Sequence, residues 1–211
     1  MFAIEELLKI ISTLLAENGC AWDKAQTMLS MRSSLLEETC EVIDAIDSGD
    51  KSHIQEELGD LLFNAIFLCF LAEKEGCATF QTIVQSLNEK LIYRHPHIFS
   101  EVNHIATPEA VLEQWDKLKT NEKGKEARES VLDGIPHSLP ALARAQKILN
   151  KMKKKNFIPN FSEESSPEIQ VGNSLLQIVK EAQAQSIEAE FALRHVLDKA
   201  EETFRSQEKM V

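Results

Sequence analysis

The chain has little of what sheets and turns are made from. It holds one tyrosine, seven glycines and six prolines among 211 residues, and no convincing run alternates apolar and polar side chains. With Leu, Ala, Glu, Lys and Gln abundant instead, the expectation is an all-α fold. Cysteine is also scarce. The four, Cys20, Cys40, Cys69 and Cys77, show no CxxC spacing, which excludes a disulfide framework and the common zinc modules. Cys69 falls on an apolar helical face and reads as a small core residue. No apolar run reaches membrane length, since the longest, 61–72, contains Asn64. The opening segment, 2–17, is amphipathic with internal Glu and Lys, unlike a secretory leader. A cytoplasmic protein with no membrane partner is expected. Positive charge is in deficit as well: 23 Lys and Arg face 34 Asp and Glu, a net charge of −11. That argues against nucleic acid as a partner. The one basic run, Lys151-Met-Lys-Lys-Lys155, ends an expected helix, where cations complement the helix dipole.

What is present reads as a series of helices. The first is expected at 2–17, stopped by a left-handed Gly19, with a loop at 20–27. Next come helices at 28–46 and 52–75, the second capped by Ser52 with Gln55 and closed by Gly76. A helix at 80–94 ends before Pro96, and one at 108–126 has proline in its first turn. Asp133-Gly-Ile-Pro136 marks the clearest boundary, dividing the chain into modules 1–132 and 133–211. Beyond it lie a helix near 139–155, a polar loop around 162–167, and one or two further helices to about residue 204.

The chemistry concentrates in two acidic pairs, Glu38-Thr-Cys-Glu41 and Glu57-Leu-Gly-Asp60. Spaced i, i+3, each pair puts two carboxylates on one face of its helix. One apolar stripe is expected through Leu35, Leu36, Val42, Ile43 and Ile46, the other through Ile54, Leu58, Leu61, Leu62, Ala65 and Cys69. In both helices the acids begin at the same shoulder of the stripe. The short turn Asp47-Ser-Gly-Asp-Lys51 makes the helices antiparallel, which brings same-handed shoulders to one side. A single acidic pair is the ordinary solvated flank of an amphipathic helix. Four carboxylates converging at the rim of a hairpin repel one another unless a cation neutralises them. An all-oxygen donor set suits a hard divalent ion such as Mg²⁺, and that points to phosphate chemistry. A di-iron bundle also uses paired acids on helices, but it needs Glu-x-x-His motifs, and none accompanies these pairs.

Five blocks then carry a resemblance across nearly the whole chain: Cys20-Ala-Trp-Asp-Lys-x-Gln-Thr27, Leu36-Glu-Glu-x-x-Glu-Val42, Glu57-Leu-Gly-Asp-Leu-Leu-Phe63, Lys90-Leu-Ile-x-Arg-His-Pro-His97 and Trp115-Asp-x-Leu-Lys119. Together, in this order, they resemble the MazG nucleoside triphosphate pyrophosphohydrolases. Ala21 stands where a proline is common in the first block. The resemblance implies a four-helix-bundle module, usually dimeric. It also implies Mg²⁺-dependent hydrolysis of a nucleoside triphosphate to monophosphate and pyrophosphate, with Mn²⁺ a possible substitute. Carried over by position, Glu38, Glu41, Glu57 and Asp60 would be the catalytic metal ligands. Lys90, Arg94, Trp115 and Lys119 would bind substrate, with Trp22 and Gln26 as candidates for base contact. His95 and His97 would shape the loop after the 80–94 helix. Glu37 and Glu41 are candidates for the base that deprotonates the attacking water.

Longer relatives in that family carry the module twice. Aligning Gly172 with Gly59 sets Gln170 against Glu57 and Asn173 against Asp60, and no ExxE pair precedes this block at the proper distance. Amides keep the shape of the acids and lose the charge that binds Mg²⁺. The second module is therefore expected to be a degenerate copy, and any turnover belongs to the first. The alternative is a weak or inactive nucleotide-binding, regulatory member of the family.

Overall fold

The computed structural model describes residues 2–100, 107–120, 129–157 and 166–209, and among them it contains ten α-helices and no strand. The chain divides into two compact units, Met1–Glu122 and Lys123–Val211. The part of the expected 108–126 helix beyond residue 120, and the loop before residue 166, lie outside the described residues.

In the first unit α1 spans Phe2–Leu15, α2 Ala21–Ala25, α3 Arg32–Ser48, α4 Lys51–Lys74, α5 Phe80–Arg94, α6 Pro96–Phe99 and α7 Pro108–Thr120. Helix α4 is central and touches α1, α3 and α5, while α7 packs on α5. The core gathers Ile11 of α1, Met31, and Ile66, Phe67 and Leu71 of α4, with Phe63 and Phe80 at its margin. Phe67 is wholly buried and stacks on Phe63 at 5.4 Å between ring centroids.

The ends of these helices follow from local chemistry, and several differ from expectation. Gly49, left-handed at φ 71°, ends α3. Asp50 rather than Ser52 caps α4, its side chain accepting from the backbone N–H groups of Ser52 and His53. The Ser52 hydroxyl donates to the same carboxylate at 2.6 Å, so the cap moves two residues earlier because the stronger, charged acceptor takes it. Asp50 is held below the usual carboxylate range mainly by these bonds from Ser52. Gly76, at φ 73°, follows α4 as expected. Gly19 has a different role from the one expected. A Cβ there would lie 2.2 Å from the Leu14 carbonyl oxygen, so glycine is required by close backbone approach. The 20–27 block is not all loop either, since α2 occupies its middle. The block is held against the end of α4: the Lys74 ammonium donates to the Lys24 carbonyl at 2.6 Å, and the Met28 N–H donates to Glu75 at 2.8 Å. Residues 28–31 form a turn, with Thr27 and Ser30 each accepting the other's N–H, and α3 starts only at Arg32.

The second unit contains α8 (Ala141–Lys154), α9 (Pro167–Ala184) and α10 (Ala189–Glu208). Each packs on the other two around a small core of Leu149, Val179 and Ala189. Ser166 caps α9, with proline following at its first turn. The Gln146 amide spans the α9–α10 turn, donating to the Ile187 carbonyl at 2.6 Å and accepting from the Ala189 N–H at 3.0 Å.

Two glycines separate close packing from helix propensity. Gly19→Ala is expected to lower stability by about 1–3 kcal/mol, the usual cost of forced overpacking. Gly59→Ala, where an added Cβ meets nothing within 4 Å, is expected to raise it by roughly 0.5–1 kcal/mol through the backbone entropy of a mid-helix glycine. Urea unfolding of the two variants checks both signs.

Candidate functional site

Among the described residues, helices α3 and α4 form the most extensive helix pair. They run antiparallel, as the turn at 47–51 demands. Ser34 near the start of α3 meets Asn64 well along α4, while Glu38 and Glu41 meet Glu57 nearer the turn. Glu38, Glu41 and Glu57 each place an oxygen within 4.8 Å of the others. Asp60 is exposed and stands outside that group, one turn beyond Glu57. Its charge nevertheless reaches Glu38. Partial burial, followed by the charges of Glu41, Asp60, Glu57 and Glu37, pushes the Glu38 carboxyl above the usual range. The cluster therefore favours any positive partner, a proton or a cation.

The acids converge although the two apolar stripes are not what was expected. Leu36 is 64% exposed, and Ile46, Leu58 and Leu62 also face outward. The buried positions are Val42 and Ala45 on α3, and Asn64, Ile66, Phe67, Leu71 and Ala72 on α4. Helix α4 is apolar on more than one side between residues 61 and 72, so periodicity alone left its rotation open. Cys69 is half-buried, and burial pushes its thiol up.

Two contacts near the acids were missed in the sequence. The His53 Nε2 lies 3.1 Å from Glu57 Oε1, and the Glu57 side chain is only 12% exposed. The i, i+4 spacing of His53 and Glu57 on one helix was the available signal. The Ser34 hydroxyl donates to Asn64 Oδ1 at 3.1 Å, crossing from α3 to α4. No signal in a single sequence pairs those two residues.

A second cluster joins α5 to α7. The Arg94 guanidinium carbon lies 5.2 Å from the centre of the Trp115 ring, within cation–π range. The His95 ring meets Trp115 edge-on at 4.8 Å, while His95 Nδ1 lies 2.6 Å from the Leu91 carbonyl oxygen. His95 thus closes the end of α5 and also braces Trp115. Lys90 lies one turn before Arg94 and is exposed; Lys119 lies one turn after Trp115. Trp22 is exposed, whereas the Gln26 amide is engaged within its own loop, donating to the Trp22 carbonyl and accepting from Ser30.

In the second unit Gln170 and Asn173 both lie on α9. Among the described residues the four cysteines are free, and no helix is long and apolar enough to cross a membrane.

The MazG nucleotide pyrophosphohydrolase domain matches residues 26–99, the segment that carries both acidic pairs and Lys90 and Arg94. The nucleoside triphosphate pyrophosphohydrolase of Escherichia coli K12 is 37% identical, covering 100% of this chain and 89% of that protein. A Thermotoga maritima protein named nucleoside triphosphate pyrophosphohydrolase/pyrophosphatase MazG is 32% identical over 98% of this chain and 86% of its own length. The crystal structure of a MazG-related protein from Thermotoga maritima matches with a TM-score of 0.49 at 27% identity, covering 55% of this chain and 98% of that one. With its acids gathered on a helical hairpin and relatives matched over most of their length, the chain belongs to the MazG family, and its enzyme class is nucleoside triphosphate pyrophosphohydrolase.

Proposed function

We propose that the first module, 1–132, hydrolyses nucleoside triphosphates to the monophosphate and pyrophosphate with Mg²⁺, and that Glu38, Glu41, Glu57 and Asp60 hold the ion. The observation that carries this reading is the meeting of Glu38, Glu41 and Glu57 oxygens within 4.8 Å. Three carboxylates at that separation, one with its proton affinity raised, form the hard, anionic donor set that a small divalent cation fits. When bound, the ion supplies neutralisation of triphosphate charge and acidification of water. Mn²⁺, with similar ligand preferences, is the expected substitute.

The chain's own groups do the rest. Glu41 or Glu37 takes the proton from a water that attacks the α-phosphorus. The new bond joins the water oxygen to that phosphorus. The bond that breaks is to the oxygen bridging the α- and β-phosphates, and pyrophosphate leaves. Lys90, Arg94 and Lys119 stabilise the charge that develops on the leaving group. Trp115, braced by His95 and covered by Arg94, offers an edge to base or sugar and limits where the guanidinium can go. The His53 contact steadies Glu57, one ligand of the set. The overall charge of −11 does not prevent an anionic substrate from binding, because the ion and these cations set the local field.

Module 133–211 is a degenerate second copy that serves packing or assembly. Gln170 and Asn173 at the acid positions support this. A cytoplasmic homodimer is the working assembly, supported by Leu58, Leu62, Leu87 and Leu91, which are exposed on a single copy. A second reading, a weak or inactive nucleotide-binding member, draws on those same amides. Pyrophosphate release from a panel of canonical and damaged nucleoside triphosphates, with Mg²⁺ and with EDTA, separates the two. Metal-dependent release with monophosphate as co-product supports the enzyme; no release from a folded protein supports the binding role.

Glu38→Gln is expected to lower kcat/KM by about 10²-fold or more, the scale of losing one preorganised electrostatic group, with helical circular dichroism unchanged. Wild-type turnover in that variant would remove Glu38 from the site. Lys90→Ala is expected to cost on the order of 10²-fold in kcat/KM, with Mg²⁺ binding retained. For pH, the sign follows from the raised pKa of folded Glu38. Ionised Glu38 weakens the metal-free fold above its unfolded pKa, fully so above the folded one, and the penalty vanishes below both. In EDTA, Glu38→Gln is therefore expected to raise Tm at neutral pH and to lose that advantage as pH falls through the carboxylate range. Thermal melts across pH check this.

A further inference from the structure

Asn64 is 3% exposed and sits among the apolar residues of α4, beside Ile66 and Phe67. An amide in that position is costly unless both its ends are bonded, and both are. Its Oδ1 accepts from the Ser34 hydroxyl at 3.1 Å, and its Nδ2 donates to the Asp60 carbonyl at 3.3 Å. A leucine of similar size would meet no such demand, so stability alone does not account for asparagine here. Position does. Ser34 lies one turn before Glu38, and Asn64 one turn after Asp60. The pair therefore crosses the α3–α4 seam next to the acids, and one of its bonds ends on the backbone of an acid residue.

We propose that Ser34 and Asn64 form a register clamp that positions the two acid pairs for the cation, a role that rests on the metal reading above. Apolar side chains alone permit a helix to rotate or slide on its neighbour. A slip of one residue turns the face by roughly 100° and moves it by about 1.5 Å, which carries its carboxylates off the shared seam. A directional bond between buried polar groups penalises that slip, as single buried amides do in coiled coils. The second unit offers an internal contrast. In the register that sets Gly172 on Gly59, the place of Asn64 is taken by Gln177. That side chain is exposed and bonds within its own helix, donating to Glu181 at 2.7 Å. Among the described residues, the unit with amides in place of acids shows no polar bond across the seam from this position.

The test is Mn²⁺ affinity, read by electron paramagnetic resonance of the free ion, on the full chain and on Asn64→Leu, Ser34→Ala, Ser34→Thr and the double variant Ser34→Ala/Asn64→Leu. Helical content is followed by circular dichroism. Asn64→Leu and Ser34→Ala are each expected to keep wild-type helicity and to bind Mn²⁺ about tenfold or more weakly, the scale of outer-shell partners at metal sites. The double variant should bind no more weakly than either single one, and Ser34→Thr, which keeps the hydroxyl, should retain affinity. Wild-type affinity in both single variants, or losses that add in the double variant, would overturn the clamp and leave the metal site standing. A wild-type chain that binds no Mn²⁺ would overturn the metal site and the clamp with it. If Asn64→Leu loses helicity, Ser34→Ala decides, because it removes one oxygen and no packing carbon.

Discussion

Three carboxylates within 4.8 Å of one another repel, and the first unit is organised around tolerating that repulsion. Partial burial and then the neighbouring carboxylates raise the proton affinity of Glu38. The hairpin of α3 and α4 can hold them together because its stability comes from elsewhere. The core around Ile11, Met31, Ile66, Phe67 and Leu71 lies further along α4, away from the turn. Helix α4 is thus anchored at one end by apolar packing and crowded with acids at the other. Such an arrangement leaves the uncompensated cost of the site ready to be relieved by a cation.

The two units illustrate what happens when that constraint is absent. The second has a smaller buried core, with Leu149, Val179 and Ala189, and is tied by the Gln146 side-chain amide at its α9–α10 turn. Its α9 carries Gln170 and Asn173, which impose no mutual repulsion and create no demand for a cation. A helix with amides at these positions can serve packing without the positional accuracy that charged ligands require.

Much of the fold was legible because helix boundaries are local. The bounds of α5 (Phe80–Arg94) followed from periodicity and the proline at 96, and Gly76 marked the end of α4. Local signals also misled where two were in competition. Ser52 with Gln55 has the form of a capping box, yet Asp50 caps α4 because its charged oxygens accept more strongly. Gly19 follows α1 as expected, but backbone crowding rather than a left-handed turn requires it. The stripe expected through Leu58 and Leu62 is exposed on the single chain, since α4 is apolar on several sides and only its neighbours select the buried one.

By itself, then, the sequence determined an all-α chain, a helical hairpin with paired acids and membership of the MazG family. These depend on spacings of three or four residues and on blocks of contiguous motif, both of which are properties of the chain alone. The tertiary structure decided the rotation of α4, the contact of His53 with Glu57, the stacking of Arg94 on Trp115 and the bond between Ser34 and Asn64. Each of these joins side chains whose directions depend on the helix rotations that packing sets. A helix has one backbone period but many faces to bury, and the choice among them is made jointly by everything that packs against it.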